Sequence, residues 1–166
     1  MSDDTFTDAI ALLKADHRKV EELFEKFESA RSTAKQDIAE RICNELKIHT
    51  AIEEEIFYPA LKGKIAEDTL NEAYVEHDGA KVLINDIMAG GADDEFYDAK
   101  VKVLSEEIKH HVHEEEMPKE GMFAQAREAG VDLGALRDEM LARKEELLSQ
   151  AEAGALPPAE LRVVHA

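Results

Sequence analysis

Apolar residues recur every three or four positions through most of the chain, the spacing that places them on one face of an α-helix. The first stripe runs over residues 8–30 and starts with a cap-like pair, Thr5 and Asp8. The second runs from about Lys35 until Pro59 interrupts it. The apolar members of these two stripes are Ile10, Leu13, Val20, Phe24 and Phe27, then Ile38, Ile42, Leu46 and Ile56.

The middle of the chain carries two more stripes of the same kind. The third opens after the capping candidate Asp68 and ends at the glycine pair 90–91, and the fourth begins near residues 93–94 and ends around Pro118. Their apolar members are Leu70, Tyr74, Ile84 and Met88, then Tyr97, Val101, Leu104 and Ile108. Short connections make neighbouring helices antiparallel. The pattern therefore predicts an all-α protein with an up-down-up-down four-helix bundle.

The C-terminal part of the chain predicts an additional helix beyond the bundle. A short helix is expected over residues 122–128, and Asp132 can cap a longer one whose apolar side carries Leu136, Met140, Leu147 and Leu148. The segment after Gly154 contains two prolines and is expected to be loose. We therefore divide the chain into a bundle over residues 1–122 and a helical extension with a loose tail over residues 123–166.

Charge and composition narrow the classes of function. With 38 acidic and 20 basic residues the formal net charge is -18, which repels phosphate backbones and anionic lipid, so neither nucleic acid nor a membrane is an expected partner. No apolar run approaches the roughly 20 residues needed to cross a bilayer. The acidic start MSDDTFTD lacks the features of a signal peptide, and the single cysteine, Cys43, cannot form an internal disulfide. We expect a cytoplasmic protein.

Each of the four stripes contains a histidine where the helical period requires an apolar residue, namely His17, His49, His77 and His111. These side chains are expected to point into the bundle. Two residues on antiparallel neighbours lie level when the midpoint of their numbers falls in the connecting turn. The midpoints of the successive pairs are positions 33, 63 and 94, all in predicted turns. The four histidines are thus expected at one depth of the core.

Two of these histidines are followed four residues later by a glutamate, His49 by Glu53 and His111 by Glu115. A four-residue step stays on one face of a helix, so both carboxylates are expected in the core, facing each other. Two buried carboxylates repel each other and lose hydration unless protons or a metal compensate them. We therefore predict a metal site formed by His17, His49, Glu53, His77, His111 and Glu115.

Neighbouring residues have ordinary explanations. His110 and His113 lie about 100° and about 200° around the helix from His111, so both are expected to face the flanks or solvent. Phe57 and Tyr58 are expected to fill the core rather than to take part in chemistry. The acidic residues expected to face water are Glu54, Glu55, Glu114 and Glu116.

Imidazole and carboxylate ligands without a thiolate suit iron, manganese or zinc, and they disfavour copper(I) and iron–sulfur clusters. The predicted set is large enough for two ions. Di-iron bundles of the ferritin type use Glu-x-x-His pairs, whereas this chain has His-x-x-x-Glu, the opposite order with a different step. A ferritin arrangement is therefore disfavoured.

The sequence resembles the hemerythrin-like HHE cation-binding proteins in four segments: DH at 16–17, the segment 49–61 ending in EEIFYPAL, EH at 76–77 and HHVHEEE at 110–116. The resemblance covers about residues 8–122. It implies a non-haem di-iron centre in which Glu53 and Glu115 bridge two iron ions and the four histidines cap them, with manganese and zinc as the alternatives for the metal.

The sequence differs from the oxygen-carrying hemerythrins, which have two histidines four residues apart on the third helix. Here Ala73 stands four residues before His77 and Lys81 four after it. Open coordination positions are therefore expected, with Glu21 as one further ligand candidate. We expect a protein that binds or reacts with dioxygen, nitric oxide or hydrogen peroxide. The alternatives are an iron or oxygen sensor, a metal-handling protein, or a metal-free helical interaction module.

Overall fold

The computed structural model of the protein describes residues 6–165, so Thr5 of the predicted cap pair lies outside the described part. Within that range every regular element is helical, which confirms the all-α class. A π-helical turn over Glu53–Phe57 follows the second helix. The α-helices are α1 (Ala9–Ser29), α2 (Ser32–Ile52), α3 (Tyr58–Leu61), α4 (Glu67–Ala89), α5 (Tyr97–Glu116), α6 (Met122–Ala129) and α7 (Leu133–Glu152).

Four of these helices form the predicted bundle. α1 packs on α2, α2 on α4, α4 on α5 and α5 on α1, which closes the ring. α7 packs against α1 and α2, so the additional C-terminal helix is also confirmed. Of the helices described between residues 6 and 165, none is both long enough and apolar enough to span a membrane.

The helix ends follow the predicted caps in part. Asp8 caps α1, because its carboxylate accepts a hydrogen bond from the Ala11 N–H at 2.9 Å. Asp68, predicted as a cap, instead lies in the first turn of α4, where no side chain caps the helix. Asp94 organises the turn before α5 by accepting a hydrogen bond from the Phe96 N–H at 2.9 Å. The fourth bundle helix therefore begins a few residues later than predicted.

The core consists of two apolar layers separated by a polar one. The lower layer comes from the four bundle helices alone and includes Val20, Phe24, Ile42, Leu46, Ile84, Leu104, Ile108 and Val112. The upper layer also draws on α6 and α7 and includes Leu13, Ile52, Phe57, Tyr58, Leu61, Phe123, Met140 and Leu147. Met88 was predicted on the apolar face of α4, but it is 36% exposed and Ile87 is buried in its place.

The π-helical turn rotates the end of the second long helix relative to a regular α-helix. Hydrogen bonds in such a turn span five residues, and here the Tyr58 N–H donates to the Glu53 carbonyl. Residues five apart in an α-helix point about 140° away from each other. Across the π-helical turn, Tyr58 instead returns to the face of Glu53. Phe57 and Tyr58 are fully buried as a result, whereas the predicted core residue Ile56 is only half-buried.

The segment after Gly154 is not loose, contrary to the prediction. It has no regular secondary structure, but hydrogen bonds tie it to α4. The fully buried carboxylate of Asp78 accepts the three backbone N–H groups of residues 162–164 at distances of 2.7 to 3.0 Å. Asn85 exchanges hydrogen bonds with the backbone of Ala159 in both directions. Backbone hydrogen bonding thus fixes a tail whose composition offered little apolar surface to bury.

Candidate metal centre

The polar layer brings together all six residues predicted as metal ligands. Their exposed fractions are 5% or less. The candidate ligand atoms form two groups, within each of which all atoms lie within 4.8 Å of one another. One group, hereafter the His17–His49 half, contains His17, His49, Glu53 and Glu115. The other, hereafter the His77–His111 half, contains Glu53, His77 and His111.

In the His17–His49 half the polar atoms face each other without hydrogen bonding. Nε2 of His49 lies 3.2 Å from Oε1 of Glu53, and Nε2 of His17 lies 3.2 Å from Oε1 of Glu115. Together with Oε2 of Glu53, these are five buried polar atoms without a hydrogen-bond partner among the described residues. Ligands about 2.1 Å from one metal ion lie roughly 3 Å apart when adjacent. The separations therefore suit a shared cation.

In the His77–His111 half a phenol occupies the space between the candidate ligands. The Tyr58 hydroxyl oxygen lies 3.1 Å from Nε2 of His77 and 3.3 Å from Nε2 of His111. It donates a hydrogen bond to Glu115 at 2.7 Å. Oε1 of Glu53 lies 3.1 Å from Nε2 of His77, which completes the group. The phenol oxygen thus stands at ligand spacing from both imidazoles and becomes a further ligand candidate.

Every one of the four histidines meets a carboxylate on its outer ring nitrogen, Nδ1. Such contacts fix the ring orientation and leave Nε2 directed towards the centre, the arrangement common around metal-bound histidines. The partners are Asp16 for His49 at 3.0 Å, Glu54 for His77 at 2.7 Å, Glu76 for His111 at 2.7 Å, and Glu116 for His17.

The surrounding carboxylates raise the pKa of His17, His49 and His111. Burial disfavours the charged form and lowers the pKa of His111, but the Glu115, Glu76 and Glu53 carboxylates together outweigh burial and raise this pKa to about 10. Burial raises the pKa of Asp16, whereas its contacts with His49 and Lys144 lower it to about 2. The carboxylates thus favour the imidazolium forms of His17, His49 and His111, and a metal ion bound through these rings would displace protons.

The two later helices complete the surroundings of the His17–His49 half. Lys144 of α7 donates a hydrogen bond to the second oxygen of Asp16 at 2.7 Å. Phe123 of α6 stacks on the His17 ring with a centroid distance of 5.9 Å. The chain reaches this position because Gly121 lets it double back after α5. A Cβ at that residue would lie 2.4 Å from a backbone carbonyl oxygen four residues earlier.

Two acidic residues that were expected to face water contact the site instead. Glu54 is 4% exposed and accepts hydrogen bonds from both His77 and Lys81. Glu116 is half-buried and bonds to His17. The π-helical turn explains Glu54, because the turn changes the phase of the helix at that point. Glu55, in contrast, is exposed, as predicted.

The structure places the other residues considered near the site, Glu21, His110 and His113, outside the polar layer. Glu21, named as a further ligand candidate, is 37% exposed and pairs with Arg18 at 3.1 Å, outside both groups of ligand atoms. The side chain of His110 is 62% exposed and His113 is exposed, as expected from their angles around the helix. The structure therefore brings His111, and neither of its neighbouring histidines, into the polar layer.

Tyr58 is the residue of the site that sequence reasoning missed. A strict α-helical period turns it away from Glu53, which left core filling as its expected role. The sequence did contain one signal, the run of three glutamates at positions 53–55. A helix that keeps its α-helical period would bury part of this run without a partner. The π-helical turn resolves this by adding one residue to the turn.

A small cavity lies below the histidines on the side of the lower layer. Its volume is about 20 Å³, and all four histidines contribute to its wall. The other wall is apolar and includes Val20, Leu46, Ile108 and Val112. One water molecule needs roughly 10 to 15 Å³ of such space. The cavity therefore has the size of a single water or diatomic molecule.

A family model identifies the family, and a solved structure supports the fold. The family model for the hemerythrin HHE cation binding domain matches residues 8–126. The crystal structure of a hemerythrin HHE cation binding domain-containing protein from Mycobacterium kansasii is similar, with a TM-score of 0.72, 21% identity, and coverage of 90% of this chain and 94% of that one. A DNA nickase from Nostoc sp. (strain PCC 7120) is 28% identical over 106 residues, 63% of this chain. The match covers only 30% of that longer relative.

Proposed function

Because the chain belongs to the hemerythrin HHE cation-binding domain family, we propose that it is a non-haem di-iron protein that binds or reacts with dioxygen, nitric oxide or hydrogen peroxide. The observation that carries the proposal is the set of five buried, unpartnered nitrogen and oxygen atoms in the His17–His49 half. Buried polar groups without partners cost roughly 1 to 3 kcal/mol each. A cation compensates all of them at once.

Each side chain has a role in this proposal. Glu53 reaches both halves, and Glu115 lies between His17 and His111 at 3.2 Å from each, so these two carboxylates would bridge the ions. The four histidines would hold one ion in each half through Nε2. Tyr58 would supply an oxygen ligand to the ion of the His77–His111 half, since its hydroxyl lies at ligand spacing from both imidazoles.

Iron is the metal that the donor set and the family favour together, with manganese and zinc as the alternatives. When bound, a pair of iron ions supplies one-electron redox chemistry at a site that can accept a small ligand. The protein's part is to limit the access of water: the site lies between two apolar layers, and the adjoining cavity of about 20 Å³ has room for about one small molecule. This favours a small gaseous or peroxide ligand over a larger substrate.

The proposal does not extend to reversible oxygen carriage. The helix that carries His77 has Ala73 and Lys81 at the four-residue steps, and Lys81 is committed to Glu54 at 2.8 Å and to Asp78 at 3.3 Å. The His77–His111 half has the Tyr58 phenol where the oxygen carriers have a second histidine on the same helix. The two halves therefore have different candidate ligands. We expect an ion with an oxygen-rich set to be oxidised rather than to release oxygen unchanged.

A second candidate is a sensor or metal-handling protein. It is favoured by the contacts of Glu54, which bonds to His77 on one side and lies 3.2 Å from the Arg162 guanidinium of the tail on the other. Metal occupancy and the tail would then be connected through one carboxylate. A role on DNA, which the Nostoc relative's name describes for that protein, is disfavoured by a net charge of -18.

The proposal is tested by metal analysis of the purified protein followed by optical spectra of the reduced, iron-loaded form. We expect close to two irons per chain, and oxidation by hydrogen peroxide or oxygen without a long-lived reversible adduct. One metal or none per chain would contradict the di-iron proposal. Repeated oxygenation and deoxygenation with an unchanged spectrum would favour the carrier, and two irons without reaction towards any of the three ligands would favour the sensor.

A further inference from the structure

A large cleft opens on the surface between α2, α7 and the C-terminal tail. Its volume is about 860 Å³, which is in the range of pockets that bind organic molecules. One wall is apolar and includes Ala51, Leu147, Leu156 and Pro157. The lining also carries four cationic side chains, Lys47, Lys81, Arg143 and Arg162, and three carboxylates, Glu54, Glu55 and Glu160. In a chain with a net charge of -18, this concentration of positive groups is unusual.

Three of the four cations are neutralised by carboxylates. Lys81 pairs with Glu54 at 2.8 Å, and Arg162 lies 3.2 Å from the same carboxylate. Arg143 pairs with Glu55 at 2.9 Å. These contacts hold the side chains in place and leave them little net charge to offer a ligand.

Lys47 differs from the other three. It is only 8% exposed, yet no carboxylate of the described residues lies within 4 Å of its ammonium group. Its one hydrogen bond goes to the Leu156 carbonyl oxygen at 3.4 Å, although an ammonium group has three donors. Burial lowers the pKa of this ammonium group, because the described residues supply no carboxylate against it. An anion bound in the cleft would supply the opposite charge at Lys47.

We propose that this cleft binds a small organic carboxylate, with the carboxylate on Lys47 and an apolar body against Leu147, Leu156 and Pro157. The apolar residues beside Lys47 favour a ligand with an apolar body. Because Lys47 is the one cleft cation without a carboxylate partner among the described residues, the ligand is expected to carry one negative charge. No candidate metal ligand lines the cleft, and Glu54 is the lining residue that also contacts one of them, His77.

The test is a calorimetric titration of the iron-loaded full chain with four probes: hexanoate, hexanol, hexylamine and inorganic phosphate. Hexanoate should bind with one site per chain and about tenfold or more tightly than each of the other three, since a hydrogen bond to a charged group is worth about one to two powers of ten in affinity. If hexanol binds as tightly as hexanoate, the cleft binds ligands through its apolar residues alone and the proposed role of Lys47 is wrong. Equal binding of phosphate would overturn the assignment of an organic ligand.

Variants locate the site. Lys47→Met keeps the length and apolar stem of the side chain and should weaken hexanoate about tenfold or more. Lys64→Met is the matched control, because Lys64 is exposed and lies outside the cleft, and it should bind hexanoate as the unaltered protein does. Gln150→Glu adds a negative charge at an exposed position of the cleft and should weaken hexanoate without affecting folding.

Hexanoate could also coordinate iron directly, so iron content and the optical spectrum are recorded with each titration. Binding that survives Lys47→Met but disappears when iron is removed would overturn the proposal. Binding that persists in the metal-depleted protein and is lost in Lys47→Met, with the melting temperature retained, would support it.

Discussion

The two halves of the metal centre are built from the same kinds of residue but are satisfied differently. In the His17–His49 half five polar atoms face one another without hydrogen bonds. In the His77–His111 half the Tyr58 hydroxyl sits between the imidazoles and donates to Glu115 at 2.7 Å. Among the described residues, the five atoms of one half thus lack hydrogen bonds, whereas the other half contains a hydroxyl group that supplies one.

The cause of the difference is local and lies in the backbone. The π-helical turn after α2 delivers Tyr58 to one half only, because its extra residue returns the phenol to the face of Glu53 on the side of α4 and α5. The side chains that reach the candidate site are therefore set by helix phase as well as by the residues that the helices carry. The following predictions test how far the halves are independent.

Glu53 is the residue on which both halves depend, so Glu53→Ala should have the largest effect. We expect iron to fall from close to two per chain to well below one, because both halves lose the same carboxylate ligand, and with it the negative charge that offsets the charge of the two ions. Glu55→Ala is the matched control on the same turn, since Glu55 is exposed and pairs only with Arg143 among the cleft cations. Metal analysis of both variants measures the effect. Retention of two irons in Glu53→Ala would refute the shared-carboxylate arrangement.

Removing the metal from the unaltered protein should lower its stability, chiefly through the unpartnered atoms of the His17–His49 half. A ligand present at a thousand times its dissociation constant stabilises the folded state by about 4 kcal/mol, which for a chain of this size corresponds to a fall in melting temperature on the order of 10 °C. Thermal melts with and without a chelator measure this. The chelator should have little effect on Glu53→Ala, and an unchanged melt of the unaltered protein would argue against a buried metal site.

On α5, a substitution at the candidate ligand should affect one half of the site, and a substitution at an exposed histidine should affect neither. His111→Ala should remove about one iron per chain, because it takes a ligand from the His77–His111 half and leaves Glu115 poorly compensated. His113→Ala should leave iron content and spectrum unchanged, because His113 is exposed two residues away. Metal analysis and optical spectra of the two variants compare them. The opposite result would show that the ligand face of α5 has been assigned to the wrong histidine.

The smallest and most selective effect is expected from Tyr58→Phe, which removes one oxygen and keeps the ring. We expect more than one iron per chain to remain, with about tenfold weaker retention of the ion in the His77–His111 half, the scale of one lost polar contact. The visible absorption of the oxidised protein should also change, since a phenol oxygen no longer contacts that ion. A spectrum and iron affinity identical to those of the unaltered protein would exclude Tyr58 as a ligand.

How much the sequence could predict depended on whether a residue sits in regular helix. Histidines at apolar positions, with midpoints in the turns, indicated the bundle and the depth of the polar layer, because both follow from the α-helical period. Tyr58 and Glu54 were beyond that reasoning, since a π-helical turn alters the period where they occur. The docked tail was missed for another reason: it is held by hydrogen bonds from its backbone to Asp78, and backbone groups are present in every sequence.

The Lys144–Asp16 contact has a consequence for modularity. The matched family region ends at residue 126, yet the ammonium group that balances Asp16, and through it orients His49, comes from α7. A fragment truncated at residue 126 would keep every candidate ligand but would lose the Lys144 ammonium group that balances Asp16. The contacts that surround the candidate site therefore extend beyond the matched region, and a chain without α7 would leave Asp16 without the Lys144 ammonium group.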